Sequence, residues 1–498
     1  MRHVLPSAGR PAAAAVVVDL LAATLVATAG TPASAERPAH AAHSAHAAHA
    51  AHSAHAAPAA HVTDVTVRRG GPDKTLSFHR SHAGEVFWNV TVSARGVSWA
   101  DRGNESAVVS AYVDGHYATD VVIGSAGRVK RQFALGHLGA GRHSLRLHYA
   151  SGRSPSDAGV ARLQQIGFAT VRPSSPAYLA AEYAPVLYGR NLRDDGGRFE
   201  NNRTDTPLLA WHETVPAARS GHSIIEYSVV WSNEDGGTAT SALMARWGRT
   251  TDIEWVYRVE VNARGRRVPG TGVFQSADHG TTRFHGRYDG THPLLETCTS
   301  NNNMCDTVHD PMRFALSARN TRRADQPREH LMDRHPWTYQ VMAREMLREH
   351  QVESPSDPAS LAMGDQRTYL YVAVDHTTDP ASSAGVVGLE VDVVLRDDPT
   401  TYTSDHANPY LTVNRDGPAA TTVELPAGTT PADVASISVL RVPVGVPPDT
   451  TASLTVTAIT RGFFLGSAYL PKPSFVRWRG SRVLTYAAPG AELWTRSG

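Results

Sequence analysis

Short runs in which apolar and polar residues alternate, each closed by Gly, Pro or Asp, recur along this chain and restrict it to a mainly β fold. VTDVTVRR, EVFWNVTV, AVVSAYVDGHYATDVVI, HSLRLHYA and QIGFATV follow one another between His61 and Arg172. A period of two puts every second side chain on one face of a strand, so each run offers one apolar face for burial. Asp114-Gly115 reads as a tight hairpin turn, and Gly139-Ala140-Gly141 as a further turn. The expectation is a β-sandwich over residues 62–172. The runs IIEYSVVWS, TDIEWVYRVEV and TYLYVAVD are assigned to a central β-sandwich domain over 173–400. Those from TTVELP to VLTYA fall in 401–498, read either as a C-terminal β-rich domain or as closing strands of the central one. One helix is predicted over 336–353, with Pro336 in its first turn and Val341, Met342, Met346 and Leu347 as its apolar stripe. The fold class is therefore mainly β: jelly-roll-like sandwiches in tandem.

The N-terminal part is of another kind. Arg2 and Arg10 precede an Ala/Val-rich stretch that ends in Ala33-Ser34-Ala35, the layout of a signal peptide over 1–35. Asp19 interrupts the stretch, which is too short and polar for a membrane span. The expectation is a secreted, extracellular protein with no transmembrane segment after cleavage. Residues 36–61 form a His/Ala-rich linker, with His40, His43, His46, His49, His52 and His55 at a period of three. Such a tract builds no core and reads as a solvated spacer or as a seat for Zn, Cu or Ni.

Charge and cysteine content narrow the chemistry. The chain carries 48 basic against 47 acidic residues, a net charge of +1, which argues against nucleic acid as the main partner. Its two cysteines, Cys298 and Cys305 in CTSNNNMC, read as a disulfide in an exported protein. There is no G-x-S-x-G elbow, H-E-x-x-H pair or phosphate loop.

The densest polar region lies between Trp211 and Asp310. In Thr251-Asp252-Ile253-Glu254, Asp252 and Glu254 are two apart and share a strand face. Two carboxylates there can seat Ca or Mg, or act as an acid/base pair with one pKa raised by the other. They can equally be neutralised by Arg246, Arg249 or Arg258. Glu226, inside IIEYSVVW, needs a partner, for which Arg246 or Arg249 is the candidate. His279 and His292 are the histidines best placed for a polar site, and Ser232 to Gly237 reads as a glycine turn or a calcium loop. Trp88, Trp99, Tyr112 and Tyr117 are aromatic residues able to stack on sugar rings or to fill the core of the first sandwich.

Two resemblances add to this. YVDGHYATDVV and LGAGRHSLRLHY are similar to the jelly-roll carbohydrate-binding modules of secreted proteins. Gly248-Arg249-Thr250-Thr251-Asp252-Ile253-Glu254 resembles the Gly-His-Arg-His-Asp-Trp-Glu heptapeptide of the necrosis-inducing-protein-like cytolysins. AEYAPVLYGR, FQSADHG and THPLLETCTSNNN resemble stretches of the vacuolar-sorting-associated-protein-like β-proteins. That second resemblance implies a β-sandwich with an acidic, metal-binding rim, which in the cytolysins contacts lipid-linked glycans. It extends only to Asp252 and Glu254, because Arg249 and Thr251 stand in the two histidine positions and Ile253 in that of the Trp. The leading expectation is binding of an extracellular glycan or glycolipid surface, assisted by calcium. The alternatives are a polysaccharide hydrolase or lyase using Asp252, Glu254 and His279, and a His-rich metal-scavenging or adhesive surface protein.

Overall fold

The computed structural model describes residues 62–190, 203, 205–234 and 238–496. The signal peptide, the His/Ala linker and the Asp235–Gly237 part of the glycine turn lie outside them. The described chain is a series of mainly antiparallel sheets, mostly in facing pairs, with few helices.

The first pair is a sandwich. One sheet orders Val62–Arg68, Val160–Val171, Gly84–Arg95 and Val129–Leu138; the other orders Lys74–Arg80, Gly141–Tyr149, Ala107–Val113 and His116–Ile123. Asp114 (φ 48°) and Gly115 (φ 86°) form the hairpin turn, whose primed geometry needs positive φ at both positions. In Gly84–Arg95 the period of two sends Val86, Trp88, Val90 and Val92 into the core against Val109, Leu145 and Leu163. Asn89 and Thr91 consequently lie on the outer face of that sheet.

The central module sets a six-stranded sheet beside a set of shorter strands. Ile253–Val261, Ser223–Trp231 and Pro207–Pro216 form the middle of the large sheet, and Thr281–Arg283 and Asn320–Thr321 its edges. His292–Thr297 and Val186–Tyr188 pair in parallel in the smaller one. Tyr227, Trp231, Val256, Tyr257 and Leu295 are among its core residues.

The C-terminal strands make a separate sandwich that begins earlier than expected. Tyr369–Asp379 pairs with Gly417–Glu424 and Ser453–Phe463, and Val387–Leu395 pairs with Val434–Pro443. The strand TYLYVAVD, assigned by position to the central domain, thus belongs to this sandwich, which runs from Tyr369 to Thr495. Its core, including Leu370, Val391, Ile437 and Leu454, is its own.

The predicted helix is Trp337–Arg348, with Pro336 as its N-cap. Met342 and Met346 are buried, but Leu347 is exposed, while Tyr339 and Glu345 are fully enclosed. The buried face therefore includes polar positions that hydropathy alone assigns to solvent. Tyr339 meets Tyr371 and Phe463 of the C-terminal sandwich edge-on at 5.8 Å. Side chains buried in this way contribute roughly 1.5–3 kcal/mol each. On another face, Glu345 accepts a hydrogen bond from Trp99 Nε1 of the first sandwich. Arg348 pairs with Glu345 and lies over the Trp99 ring at 5.2 Å.

Candidate functional site

The acidic pair sits where a short helix hands over to the central strand. Thr240–Trp247 ends on Gly248 (φ 64°), which donates to the Met244 carbonyl as a left-handed cap. A Cβ at position 248 would lie 3.0 Å from the Thr421 carbonyl oxygen, so glycine here serves both the cap and a close backbone contact. Arg249 turns inward to Glu329 at 3.1 Å, and the chain enters its strand at Ile253. Asp252 is 1 % exposed and accepts from Asn302 Nδ2 at 2.9 Å. Asn302 Oδ1 accepts from Arg190 at 2.8 Å, and Arg190 pairs with Asp205. Glu254 keeps a 15 % exposed side chain, with His279 Nδ1 at 3.8 Å. The Gln275 and Asn301 amides lie 2.9 Å from the two ring nitrogens of His279.

Burial first, then the neighbouring charge of Asp252, pushes the Glu254 carboxyl up to about 7; Arg328 and Arg249 oppose this. The arginines expected to neutralise the pair are engaged elsewhere. Arg258 is the cross-strand neighbour of Glu226 and forms its ion pair, which corrects the expectation of Arg246 or Arg249 for that role. Arg249 is held by Glu329. Among the described residues, no three His, Cys, Asp or Glu side chains are disposed to hold a metal ion.

Cys298 and Cys305 form a disulfide with a Cα–Cα distance of 5.8 Å. The loop it closes delivers Asn301 and Asn302 to the acidic pair, Asn302 in the left-handed region at φ 51°. Sequence reasoning did not single out Asn301, Asn302, Arg190 or Gln275. The Asn-Asn-Asn run between the two cysteines was the available signal.

Two of the aromatic candidates are not available to a sugar. Trp88 is 0 % exposed in the first core, because it shares the inward face with Val86 and Val90. Trp99 is 1 % exposed beneath the helix. Tyr117 donates to Asp120 and accepts from the Arg313 backbone N–H at 3.3 Å, so its hydroxyl links the first sandwich to the central module. His292 is also enclosed at the module boundary. Its Nδ1 donates to the Ala184 carbonyl at 2.9 Å, and its Nε2 lies 3.3 Å from Glu85.

A cleft of about 900 Å³ opens against the outer face of the first sandwich. Asn89, Thr91, Gln132 and Gln165 project from that face, with Gln165 turned out at φ 51° where the register shifts opposite Val90. Thr91 donates to Gln165 at 2.8 Å, and Gln132 Nε2 hydrogen-bonds to Asn89. Leu208 to Ala210 and Ser317 form the central module's wall, Arg334 to Trp337 the helix end, and Leu470 and Pro471 the C-terminal contribution. Arg131 lies over the Trp337 ring at 4.7 Å. The cleft thus unites side-chain amides, hydroxyls, cations and one indole, a lining that suits a polar ligand with apolar faces.

No family model matches the chain, and no curated protein matches it. Among solved structures it is similar to a family 35 carbohydrate-binding module from an environmental isolate, at 14% identity and a TM-score of 0.16, covering 21% of this chain and 72% of that one. It is similar to the EclA C-terminal domain, a sugar-binding protein, at 18% identity and a TM-score of 0.16, covering 25% and 89%. A CBM35 module from Cellvibrio japonicus gives 8% identity and a TM-score of 0.15, covering 21% and 72%. Scores of this size carry no argument about function, and the sandwich architecture rests on the strand registers given above. The resemblance to the cytolysins and vacuolar-sorting-associated proteins finds no support in these comparisons.

Proposed function

We propose that the chain is a secreted, modular protein that binds extracellular glycans, and that the cleft against the first sandwich is their seat. One observation carries the reading: the outer sheet face presents Asn89, Thr91, Gln132 and Gln165 toward a cleft of about 900 Å³ that Trp337 also lines. Hydroxyl-rich rings need paired donors and acceptors for their edges and an aromatic surface for their C–H faces. The test is affinity electrophoresis and a glycan array with the whole chain. Trp337→Ala and Gln132→Ala should each weaken binding about tenfold, the equivalent of about 1.4 kcal/mol. Unchanged binding in both variants removes the cleft as the seat, and no binding to any glycan removes the function.

A second reading, an extracellular polysaccharide hydrolase or lyase, is favoured by Glu254, whose pKa of about 7 beside His279 suits proton transfer near neutrality. It predicts polysaccharide turnover by the purified protein that is lost in Glu254→Gln while binding in the cleft persists. Absence of turnover removes it.

A further inference from the structure

Glycan binding alone does not account for the charge of the cleft. Arg128, Lys130, Arg131 and Arg334 line it, and no Asp or Glu does, in a chain whose 48 basic and 47 acidic residues nearly balance. Among the described residues no carboxylate lies within ion-pair reach of any of these four cations. The terminal nitrogens of Arg131 reach only the carbonyls of Val122 and Leu208, at 3.4 and 3.3 Å. Arg334 reaches the Thr321 carbonyl. The helix Trp337–Arg348 points its N-terminal turn at the same space, with no acidic residue in that turn. The Trp337 Nε1 donor is buried there without a hydrogen-bond partner.

Burial acts on two groups of this lining. Burial draws Arg131 down to about 10. Burial, then the charges of Arg334 and Arg131, lowers His335 to about 4. A half-enclosed cation without a counter-charge is costly, and an anionic ligand removes the cost.

We infer that the cleft takes an acidic glycan, one whose sugar rings carry carboxylate or sulfate groups, and that Arg131 is the residue that distinguishes it from a neutral one. The inference rests on the cleft being the glycan seat. A single-stranded nucleic acid fits less well, because its sites stack successive bases on several aromatic rings and Trp337 is the one indole, Tyr or Phe ring in this lining.

The experiment is isothermal titration of the whole chain with four probes: a galacturonate oligomer, a chondroitin sulfate oligomer, a neutral cello-oligosaccharide and a single-stranded deoxyoligonucleotide. The wild type should bind one or both acidic oligomers at least about tenfold more tightly than the neutral one, with affinity falling between about 50 and 200 mM salt. The first two probes separate a carboxylate from a sulfate as the recognised group. Arg131→Gln should lower acidic-glycan affinity about tenfold or more, and should lower it clearly more than neutral-glycan affinity, so that the ratio of the two falls. Lys130→Gln combined with Arg334→Gln, which removes two cations at the rim, gives the same selective loss even if Arg131→Gln melts early. Equal binding of neutral and acidic oligomers, untouched by these variants, overturns the inference and leaves the glycan reading standing. Failure of every oligosaccharide overturns both, and tighter binding of the oligonucleotide overturns the inference in favour of nucleic acid.

Discussion

Glu254→Gln tests whether the acidic pair is a proton-sharing device or an open seat for a cation. Glu254 has a folded pKa of about 7 against an ordinary value of 4.5, caused by burial and by Asp252. Between those two pH values the folded chain holds a proton that the unfolded chain has released. Stability contributed by the protonated carboxyl is therefore complete below about 4.5 and declines as pH rises through about 7. The difference of about 2.5 pK units, at 1.36 kcal/mol each, is about 3 kcal/mol for a side chain only 15 % exposed. Glutamine keeps the shape and cannot ionise. The variant should match the wild type near pH 4 and exceed it by about 3 kcal/mol near pH 8, a rise of several degrees in Tm by calorimetry. Comparing the two proteins cancels the other raised carboxyls, including Asp310 at about 6 and Glu424 at about 7. A Glu254→Gln protein that is less stable than wild type near pH 8 refutes the reasoning. So does a wild type that gains several degrees on adding millimolar calcium when the variant does not, because an ionised, metal-bound pair would then be the resting state.

Glu345→Ala should destabilise the junction between the helix and the first sandwich by about 1–3 kcal/mol, measured by chemical denaturation, because it leaves the buried Trp99 Nε1 donor unpaired and takes one carboxylate from Arg348, which keeps Glu349. Trp99→Phe, which removes the donor but keeps the carboxylate and guanidinium together, should cost less. His292→Gln should destabilise most at low pH. Burial depresses this imidazole, but its hydrogen bond and charge interaction with Glu85 outweigh that and raise its pKa, so its contribution is complete below the ordinary value of 6.5 and is lost as pH rises through the folded value. A His292→Gln melting temperature that differs from wild type by a constant amount across that range counts against the ion pair. Deleting residues 36–61 should abolish retention of Zn, Cu or Ni on a metal-affinity test while leaving the calorimetric transitions of the remainder in place.

Alternation located strands because it is a local signal, and it failed where locality fails. Val129–Leu138 mixes Lys, Arg, Gln and Gly among its apolar residues, so no clean period of two appears. Tyr369–Asp379 is plainly a strand in the sequence, yet its sheet is decided by partners some 40 to 90 positions further on. For the acidic pair, an i, i+2 spacing suggested one shared strand face, but the strand begins at Ile253 and Asp252 stands just before it. Its companions Asn302 and Arg190 come from loops distant in sequence; the Asn-Asn-Asn run hints at the first, and nothing local ties either to the pair. Trp88 was legible after all: Val86, Trp88, Val90 and Val92 form one inward face, and an aromatic on such a face is core. Counting parity along the strand would have separated it from Asn89 and Thr91, which face the cleft.

The cleft itself had no local signature, because no single module contains it. The first and third sandwiches close largely separate cores, so neither needs its neighbours merely to bury apolar surface. What joins them is the helix, fixed on one side by Trp99, Glu345 and Arg348 and on the other by Tyr339 against Tyr371 and Phe463. With the helix held from both sides, the position of Trp337 at its first turn is set before any ligand arrives. A wall placed in advance spares a ligand the ordering cost that a loop-built site would charge to binding. The burial of Trp99, at first sight a lost sugar platform, therefore has a second effect: it holds in register the helix whose own tryptophan lines the cleft.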